Sequence, residues 1–207
     1  IYTLSLHDAL PICVSQILAD FMTIEEHVGK LKGAKLVFVG DGRNNMANSL
    51  MIGSAIMGLD FRILAPRELH PEQALIDKAR YLAHTSQARI TITDNFEEAL
   101  RDADVIYTDV WVSMGEEDKF AERINQLRNF QVNRHMIDLT NNPSVKFMHC
   151  LPAFHDALTI TGKKVQEDFG LESMEVTDEV FRSPHSVVFD QAENRMHTIK
   201  AVMALTL

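Results

Sequence analysis

The chain has 207 residues, of which 46% are hydrophobic and 24% are charged, and its formal net charge is -9 at pH 7. This composition is typical of a globular protein and excludes a disordered chain, a collagen-like repeat and a coiled coil. The acidic balance argues against a nucleic-acid or anionic-membrane partner, and no apolar run reaches the roughly 18 residues that a membrane-spanning helix requires.

The N-terminal segment, residues 1–12, reads IYTLSLHDALPI and does not fit the pattern of the residues that follow it. It lacks the basic start and the small-residue cleavage site of a signal peptide. The segment resembles a translated sequencing adapter or cloning scar joined to a truncated reading frame. An ordinary N-terminal strand or helix is the alternative.

Short apolar runs alternate with helical patterns along the remainder of the chain. Strands are predicted at residues 35–39, 61–64, 89–93, 105–110 and 145–150, and residues 186–189 form a sixth apolar run. Helices are predicted at residues 15–29, 45–59, 71–84 and 96–103, in a charged segment ending at 130, and from 191 to the C terminus. Asn95 and Glu98 fit a capping box, and residues 157–175 are predicted as loop with one or two helical turns.

Strands that alternate with helices predict crossover connections and a parallel sheet covered on both faces. The predicted fold is therefore α/β, an open Rossmann-like parallel sheet with helices on both sides. Residues 31–207 are interpreted as a single domain that ends in a C-terminal helix. Residues 13–30 are interpreted as an interdomain connector helix that precedes this domain.

Ligands of open parallel sheets bind beyond the carboxyl ends of the strands, and four polar clusters follow predicted strands or the sixth apolar run. They are residues 40–45, 109–115, 149–152 and 191–195. The first cluster resembles a dinucleotide fingerprint, but Asn45 occupies the third glycine position and the second strand is not followed by an acid. A helix N-terminus there favours an anion near Asn44 and Asn45, unless the two residues only cap the helix.

The second cluster places Asp109 directly after an apolar run, where its carboxylate can meet an ammonium group or only stabilise a turn. Ser113 and Met114 belong to a loop suited to closing over a substrate, with an ordinary surface turn as the alternative. Arg195 is predicted in the first turn of the last helix, where its charge opposes the helix dipole. A ligand anion would compensate that charge, and an exposed, solvated arginine is the alternative.

The third cluster places His149 and Cys150 next to each other at a strand end, so their side chains are predicted to point in opposite directions. This placement argues against both side chains binding one metal ion. The sequence also has no second cysteine pair and no HExxH helix, so no metal is predicted. Cys150 is either a nucleophile with a histidine partner or a buried inert thiol. With Cys13 the only other cysteine, no disulfide framework is implied and a reducing cytoplasm is predicted.

The four clusters together resemble the bacterial type of the ornithine carbamoyltransferase family over most of the chain, from about Ser15 to Leu207. The segments that carry the resemblance read GDGRNNMANS, DVWVSMGE, FMHCLPAFHD and FDQAENRMHTIKAVM. The SMG loop followed by the HCLP turn separates ornithine enzymes from aspartate enzymes in this family. The resemblance implies that the chain is the ornithine-binding half plus a connecting helix. The Ser-Thr-Arg-Thr-Arg phosphate loop is absent, and of the family's His-Pro-x-Gln motif only Gln16 is retained.

The resemblance also implies a role for each matching residue. Asn45, Asp109, Ser113 and Met114 are implied to hold ornithine, with Asp109 on the α-ammonium group. Carbamoyl phosphate is implied to lie against Gln16, Cys150, Leu151 and Arg195. His149, Cys150 and Arg195 are implied to be catalytic, with His149 polarising the carbonyl oxygen of the tetrahedral state.

The implied reaction transfers a carbamoyl group from carbamoyl phosphate to L-ornithine, giving L-citrulline and phosphate, with no metal or organic cofactor. The missing phosphate loop predicts that this chain alone is inactive. A non-catalytic ornithine-binding module and a sister transcarbamylase acting on another amine are the alternatives, and a nucleotide-binding protein is disfavoured by Asn45. The family resemblance further implies a homo-oligomer, a trimer or a multiple of one, in the cytoplasm.

Overall fold

The computed structural model describes residues 14–112 and 119–206, which form an α/β arrangement. The strands are β1 Lys35–Val39, β2 Asp60–Leu64, β3 Arg89–Thr93, β4 Val105–Thr108 and β5 Lys146–His149. The first helices are α1 Val14–Val28, α2 Asn45–Met57, α3 Gln73–Ser86, α4 Phe96–Leu100 and α5 Phe120–Leu127. The later helices are α6 Arg134–Leu139, α7 Ile160–Phe169, α8 Asp178–Phe181 and α9 Val188–Thr206.

All five strands of the described sheet are parallel and lie in the order β3-β2-β1-β4-β5. From β1 the chain first moves outward through β2 and β3, and then returns to the other side of β1 for β4 and β5. The reversal makes the carboxyl ends of β1 and β4 the switch point of the sheet, which is the usual ligand position in such sheets. The predicted open parallel sheet is therefore confirmed.

Alternation of side chains along the central strand divides the core into two layers. Leu36 and Phe38 of β1 belong to the cluster that includes α1, α2 and α3. Val37 and Val39 belong to the opposite cluster, which includes residues of α4 to α8. Because consecutive strand residues face opposite sides, both faces of the sheet are buried under helices, as predicted.

Helix α1 packs against α9 and α2, rather than standing apart from the domain. Ile17, Phe21 and Ile24 of α1 are buried, whereas Leu18 and Met22, which the sequence pattern places on the same face, are exposed. Gly53 permits the close approach of α2, because a Cβ there would lie 2.9 Å from Cγ2 of Ile17. The boundary proposed at residue 30 stays a prediction.

The sixth apolar run, residues 186–189, does not form a strand of the described sheet. Ser186 forms only an isolated parallel bridge with Phe147, and α9 begins at Val188. The last two residues of this run therefore form the start of α9 rather than part of a strand. Among the described residues, no helix is both long and apolar enough to cross a membrane.

Two predictions of local structure need correction. The segment 157–175 contains the ten-residue helix α7, capped by Thr159, where only one or two turns were predicted. Asn95 caps α4 as predicted, accepting from the backbone N–H of Glu98. The carboxylate of Glu98 does not complete a capping box, because it accepts instead from the hydroxyl of Thr93. That hydroxyl in turn accepts from the N–H of Asn95.

Candidate functional site

The centre of the candidate site is a pair formed by Asp109 and Cys150. Thr108 and His149 are register partners at the ends of the neighbouring strands β4 and β5. The residues that follow them, Asp109 and Cys150, therefore lie side by side at the edge of the sheet. The thiol of Cys150 donates to Oδ1 of Asp109 at 3.0 Å. The backbone N–H of Val110 donates to the same oxygen at 2.8 Å. Oδ2 of Asp109 makes no hydrogen bond with the described residues.

The surroundings of Cys150 keep its sulfur protonated. Burial raises the pKa of the thiol far above its ordinary value, and the charge of Asp109 and its hydrogen bond raise that pKa further. Only the thiolate is a good nucleophile, and here the thiol has a carboxylate partner rather than a histidine. The geometry therefore favours the unreactive thiol over a cysteine activated by histidine.

His149 is held from several sides by protein groups. Its side chain is fully buried, and Nδ1 accepts a hydrogen bond from the N–H of Leu151 at 2.9 Å. Nε2 lies 3.3 Å from Oε1 of Glu175 but makes no hydrogen bond with a described residue. The backbone N–H of His149 donates to Oε1 of Gln191 at 2.9 Å. This environment positions the turn that carries Cys150.

The prediction that His149 and Cys150 point in opposite directions is wrong. A ring nitrogen of His149, the sulfur of Cys150 and a carboxylate oxygen of Asp109 all lie within 4.8 Å of one another. Strand alternation ends at His149, and the chain then turns at Leu151, whose φ is 55°. A left-handed φ is unfavourable for leucine, so this turn is held by its neighbours. One of these neighbours is Glu175, which accepts from the N–H of Phe154.

The turn after β1 lies beside the end of β4, because Val39 and Thr108 are register partners. Gly40 has a φ of 133°, and a Cβ there would lie 3.7 Å from the hydroxyl oxygen of Thr108. Asp41 forms an ion pair with Arg123 of α5 at 3.2 Å, and both side chains are largely buried. Asn44 caps α2 by accepting from the N–H of Met46, whereas Asn45 is exposed at the first position of the helix. Asn44 therefore serves as the N-cap of α2. The prediction that Asn45 contacts ornithine stays a prediction.

Two of the residues predicted to meet carbamoyl phosphate, Gln16 and Arg195, make no hydrogen bond with the Asp109–Cys150 pair in the part of the chain that the structure describes. Arg195 is exposed and lies roughly two turns inside α9, so its placement in the first turn is wrong. Gln16 is buried and donates to Oδ1 of Asp20 at 2.8 Å. Ser113 and Met114 lie outside the described residues.

A buried polar network that the sequence analysis missed lies behind the site. Asp20 is fully buried on α1, and its Oδ1 accepts from Gln16 and, at 2.7 Å, from Nε2 of Gln191 on α9. The same nitrogen donates to the hydroxyl of Tyr107 on β4 at 3.1 Å. Burial raises the pKa of Asp20 from 3.8 to about 7, against the lowering effect of its polar contacts with Gln16, Gln191 and Tyr107. No sequence signal marks contacts between residues so far apart in the chain.

The raised pKa of Asp20 predicts a pH-dependent stability. Between its unfolded pKa of 3.8 and its folded pKa of about 7, the folded state binds the additional proton, so stability falls as pH rises through this window. At pH 8 the charged carboxylate costs on the order of 4 kcal/mol. Asp20→Asn is expected to gain stability relative to the unchanged chain as pH rises from 4 to 8, measured by urea unfolding. Glu26→Gln, which removes an exposed carboxylate from the same helix, should show no such gain.

The parallel sheet with helices on both faces defines an α/β protein, and its candidate site lies at the carboxyl ends of the strands, where Asp109 and Cys150 meet. Residues 32–206 match the family described as aspartate/ornithine carbamoyltransferase, Asp/Orn binding domain. The chain therefore belongs to the aspartate/ornithine carbamoyltransferase family.

Relatives within this family extend well beyond the matched region. The chain is 63% identical over 193 residues to the protein named catabolic ornithine carbamoyltransferase of Bacillus cereus, covering 93% of this chain and 57% of that protein. The structure of ornithine carbamoyltransferase from Pyrococcus furiosus is similar with a TM-score of 0.77 and 45% identity, over 92% of this chain and 55% of that one. The anabolic enzyme from Campylobacter jejuni gives a TM-score of 0.78 at 32% identity, over 92% of this chain and 57% of that one. The chain thus spans little more than half the length of these relatives.

Proposed function

We propose that the chain is the ornithine-binding part of an ornithine carbamoyltransferase. The observation that carries the proposal is the Asp109–Cys150 pair at the carboxyl ends of β4 and β5. The chain that holds this pair is also closely similar to proteins named ornithine carbamoyltransferase. The reaction forms a bond between the δ-nitrogen of L-ornithine and the carbamoyl carbon, and it breaks the bond from that carbon to the phosphate oxygen. The products are L-citrulline and phosphate.

In this proposal Asp109 binds the α-ammonium group of ornithine through Oδ2, while Oδ1 keeps the thiol of Cys150 and the N–H of Val110. Asn45 contacts the amino-acid end of the substrate, and Ser113 and Met114 close over it. Cys150 and Leu151 then lie beside the δ-amine and the carbamoyl group. In this arrangement Oδ2 of Asp109 binds the substrate, while Oδ1 holds Cys150 in place beside the reacting δ-amine.

The δ-amine must lose its proton before it attacks the carbamoyl carbon. A site that excludes water favours the neutral amine, because desolvation disfavours the cation. Arg195 is proposed to stabilise charge on the carbamoyl phosphate, and Gln16 is proposed to contact it. For His149 to polarise the carbonyl oxygen, its Nε2 has to become accessible on the side that now faces Glu175. No organic cofactor or metal enters this scheme.

Carbamoyl phosphate binding is proposed to need residues outside this sequence. The chain spans little more than half of its relatives, and it contains no Ser-Thr-Arg-Thr-Arg segment. A dianionic substrate requires several charge-assisted donors to replace its water. The whole protein is proposed to be a cytoplasmic homo-oligomer, as the family resemblance implies.

Calorimetric titration with small amines tests the ornithine assignment. L-ornithine is expected to bind weakly, in the millimolar range of about -4 kcal/mol, because one charged contact and a partly formed pocket supply the affinity. Putrescine keeps both amino groups of ornithine and lacks only the α-carboxylate, so loss of the contact proposed between Asn45 and the amino-acid end is expected to weaken binding at least several-fold. Equal binding of putrescine supports a sister transcarbamylase instead. A folded chain that binds neither amine contradicts the proposal.

A further inference from the structure

Asp20 is connected to the candidate site through a single glutamine side chain. Gln191 donates from Nε2 to Oδ1 of Asp20 at 2.7 Å, and it accepts at Oε1 from the backbone N–H of His149 at 2.9 Å. His149 is the last residue of β5, and Cys150 follows it directly. Gln191 and Asp20 are both fully buried, so water does not compete for these bonds.

We propose that Asp20 is a positioning residue of the ornithine site, which acts through Gln191 on the backbone of His149 and so on the position of Cys150 against Asp109. Its effect on ornithine rests on the proposed function, whereas its effect on His149 does not. The amide of Gln191 is the physical link. When its N–H donates to a charged rather than a neutral carboxyl group, the amide is polarised and its oxygen becomes the stronger acceptor.

The geometry of Asp20 also provides a place for its proton. Oδ1 accepts both hydrogen bonds from Gln16 and Gln191, whereas Oδ2 has no hydrogen-bond partner among the described residues. A proton on Oδ2 therefore leaves the network intact, and its loss strengthens both bonds to Oδ1. Gain and loss of the proton thus change the strength of the link and leave its connectivity unchanged.

The charges around Asp20 make it responsive to the site. Tyr107 of β4 and Asp109 after β4 act on it, and the charge of Asp109 raises its pKa. The charge of Asp20 in turn raises the pKa of the Cys150 thiol. An ammonium group on Asp109 offsets that negative charge, lowers the pKa of Asp20 and favours its ionised form. By linkage, an ionised Asp20 favours the ammonium ligand equally.

The other charged groups of the α1–α9 contact are engaged elsewhere. Glu26 accepts from the amide of Asn194, and His27 lies 3.0 Å from the carboxylate of Asp190. Neither pair makes a hydrogen bond with the side chain of Gln191. These neighbours supply a matched control, because Glu26→Gln removes a carboxylate from the same helix pair and leaves the path to His149 untouched.

Nuclear magnetic resonance of the 207-residue chain between pH 5 and 9 tests the proposal without any ligand. The side-chain carboxyl carbon of Asp20 and the amide resonance of His149 are expected to titrate with midpoints that agree within about 0.3 pH units. In Asp20→Asn the His149 amide should lose this titration, and in Glu26→Gln it should keep it. Different midpoints in the unchanged chain, or a titration that persists in Asp20→Asn, overturn the proposal. The comparison of the Asp20 and His149 midpoints uses the unchanged chain, so it tests the proposal even if the Asp20→Asn variant does not fold.

Addition of L-ornithine tests the linkage to the site. At ligand concentrations where calorimetry shows binding, the midpoint of Asp20 is expected to fall by at least several tenths of a pH unit. An unchanged midpoint under those conditions overturns the linkage. If calorimetry shows no binding, the proposed function fails, and the ligand-free titration still decides the positioning role.

Discussion

The 207-residue chain, supplied with saturating L-ornithine and carbamoyl phosphate, is expected to form no citrulline above the uncatalysed background. Two of the groups proposed to meet carbamoyl phosphate, Arg195 and Gln16, are not arranged to hold it in this chain alone. Arg195 is exposed on α9, and Gln16 is buried and committed to Asp20. Without a bound and oriented second substrate, the roughly 7–11 kcal/mol that orientation contributes to such reactions is largely forfeited.

The assay for citrulline uses chain that is shown by circular dichroism to be folded, with a full-length relative as the positive control. A turnover near the ~10 s⁻¹ that is typical of enzymes contradicts the proposal that phosphate recognition lies outside this sequence. That outcome would direct attention to cations within the described residues, first to Arg123, which is paired with Asp41 in the turn after β1. Activity that appears only when the remaining part of a relative is co-expressed supports the proposal.

The parallel sheet could be predicted from sequence because its signals are local. The strands Lys35–Val39 and Arg89–Thr93 coincide with the predicted limits, since each is a short β-branched run followed by a turn. The apolar run at 186–189 carries the same signal but belongs to a helix start. Whether such a run joins the sheet depends on available strand edges and on the chain that follows it, which local pattern does not contain.

The site was predictable only in part. That Asp109 and Cys150 reach the same sheet edge follows from their positions after two parallel strands. Their hydrogen bond depends on β4 and β5 being neighbours, which the alternation of elements leaves open. The directions of His149 and Cys150 were mispredicted because strand alternation stops where the strand stops. Asp20 and Gln191 were missed because a buried contact between the first and last helices leaves no periodic signal.

Asp109→Asn is expected to weaken L-ornithine binding by about ten- to a hundredfold, because a hydrogen bond to a charged group contributes about 1.5–3 kcal/mol. The asparagine oxygen still accepts from Val110 and Cys150, so the substitution removes the charge and keeps the local geometry. Asn44→Ala is the matched control. It removes the cap of α2, which costs roughly 1 kcal/mol of stability, and it should change affinity far less.

Equal losses of affinity in these two variants, measured by calorimetry, would sink the assignment of Asp109 as the ammonium partner. A second measurement does not depend on ornithine. The charge of Asp109 helps to raise the pKa of the Cys150 thiol, so Asp109→Asn should lower that pKa and speed alkylation by iodoacetamide at pH 8. Cys13→Ser serves as the background, because it leaves Cys150 as the single cysteine. An unchanged alkylation rate means that the charge of Asp109 does not act on the thiol. That result would contradict the proposal that Asp109 binds the substrate through one oxygen and Cys150 through the other.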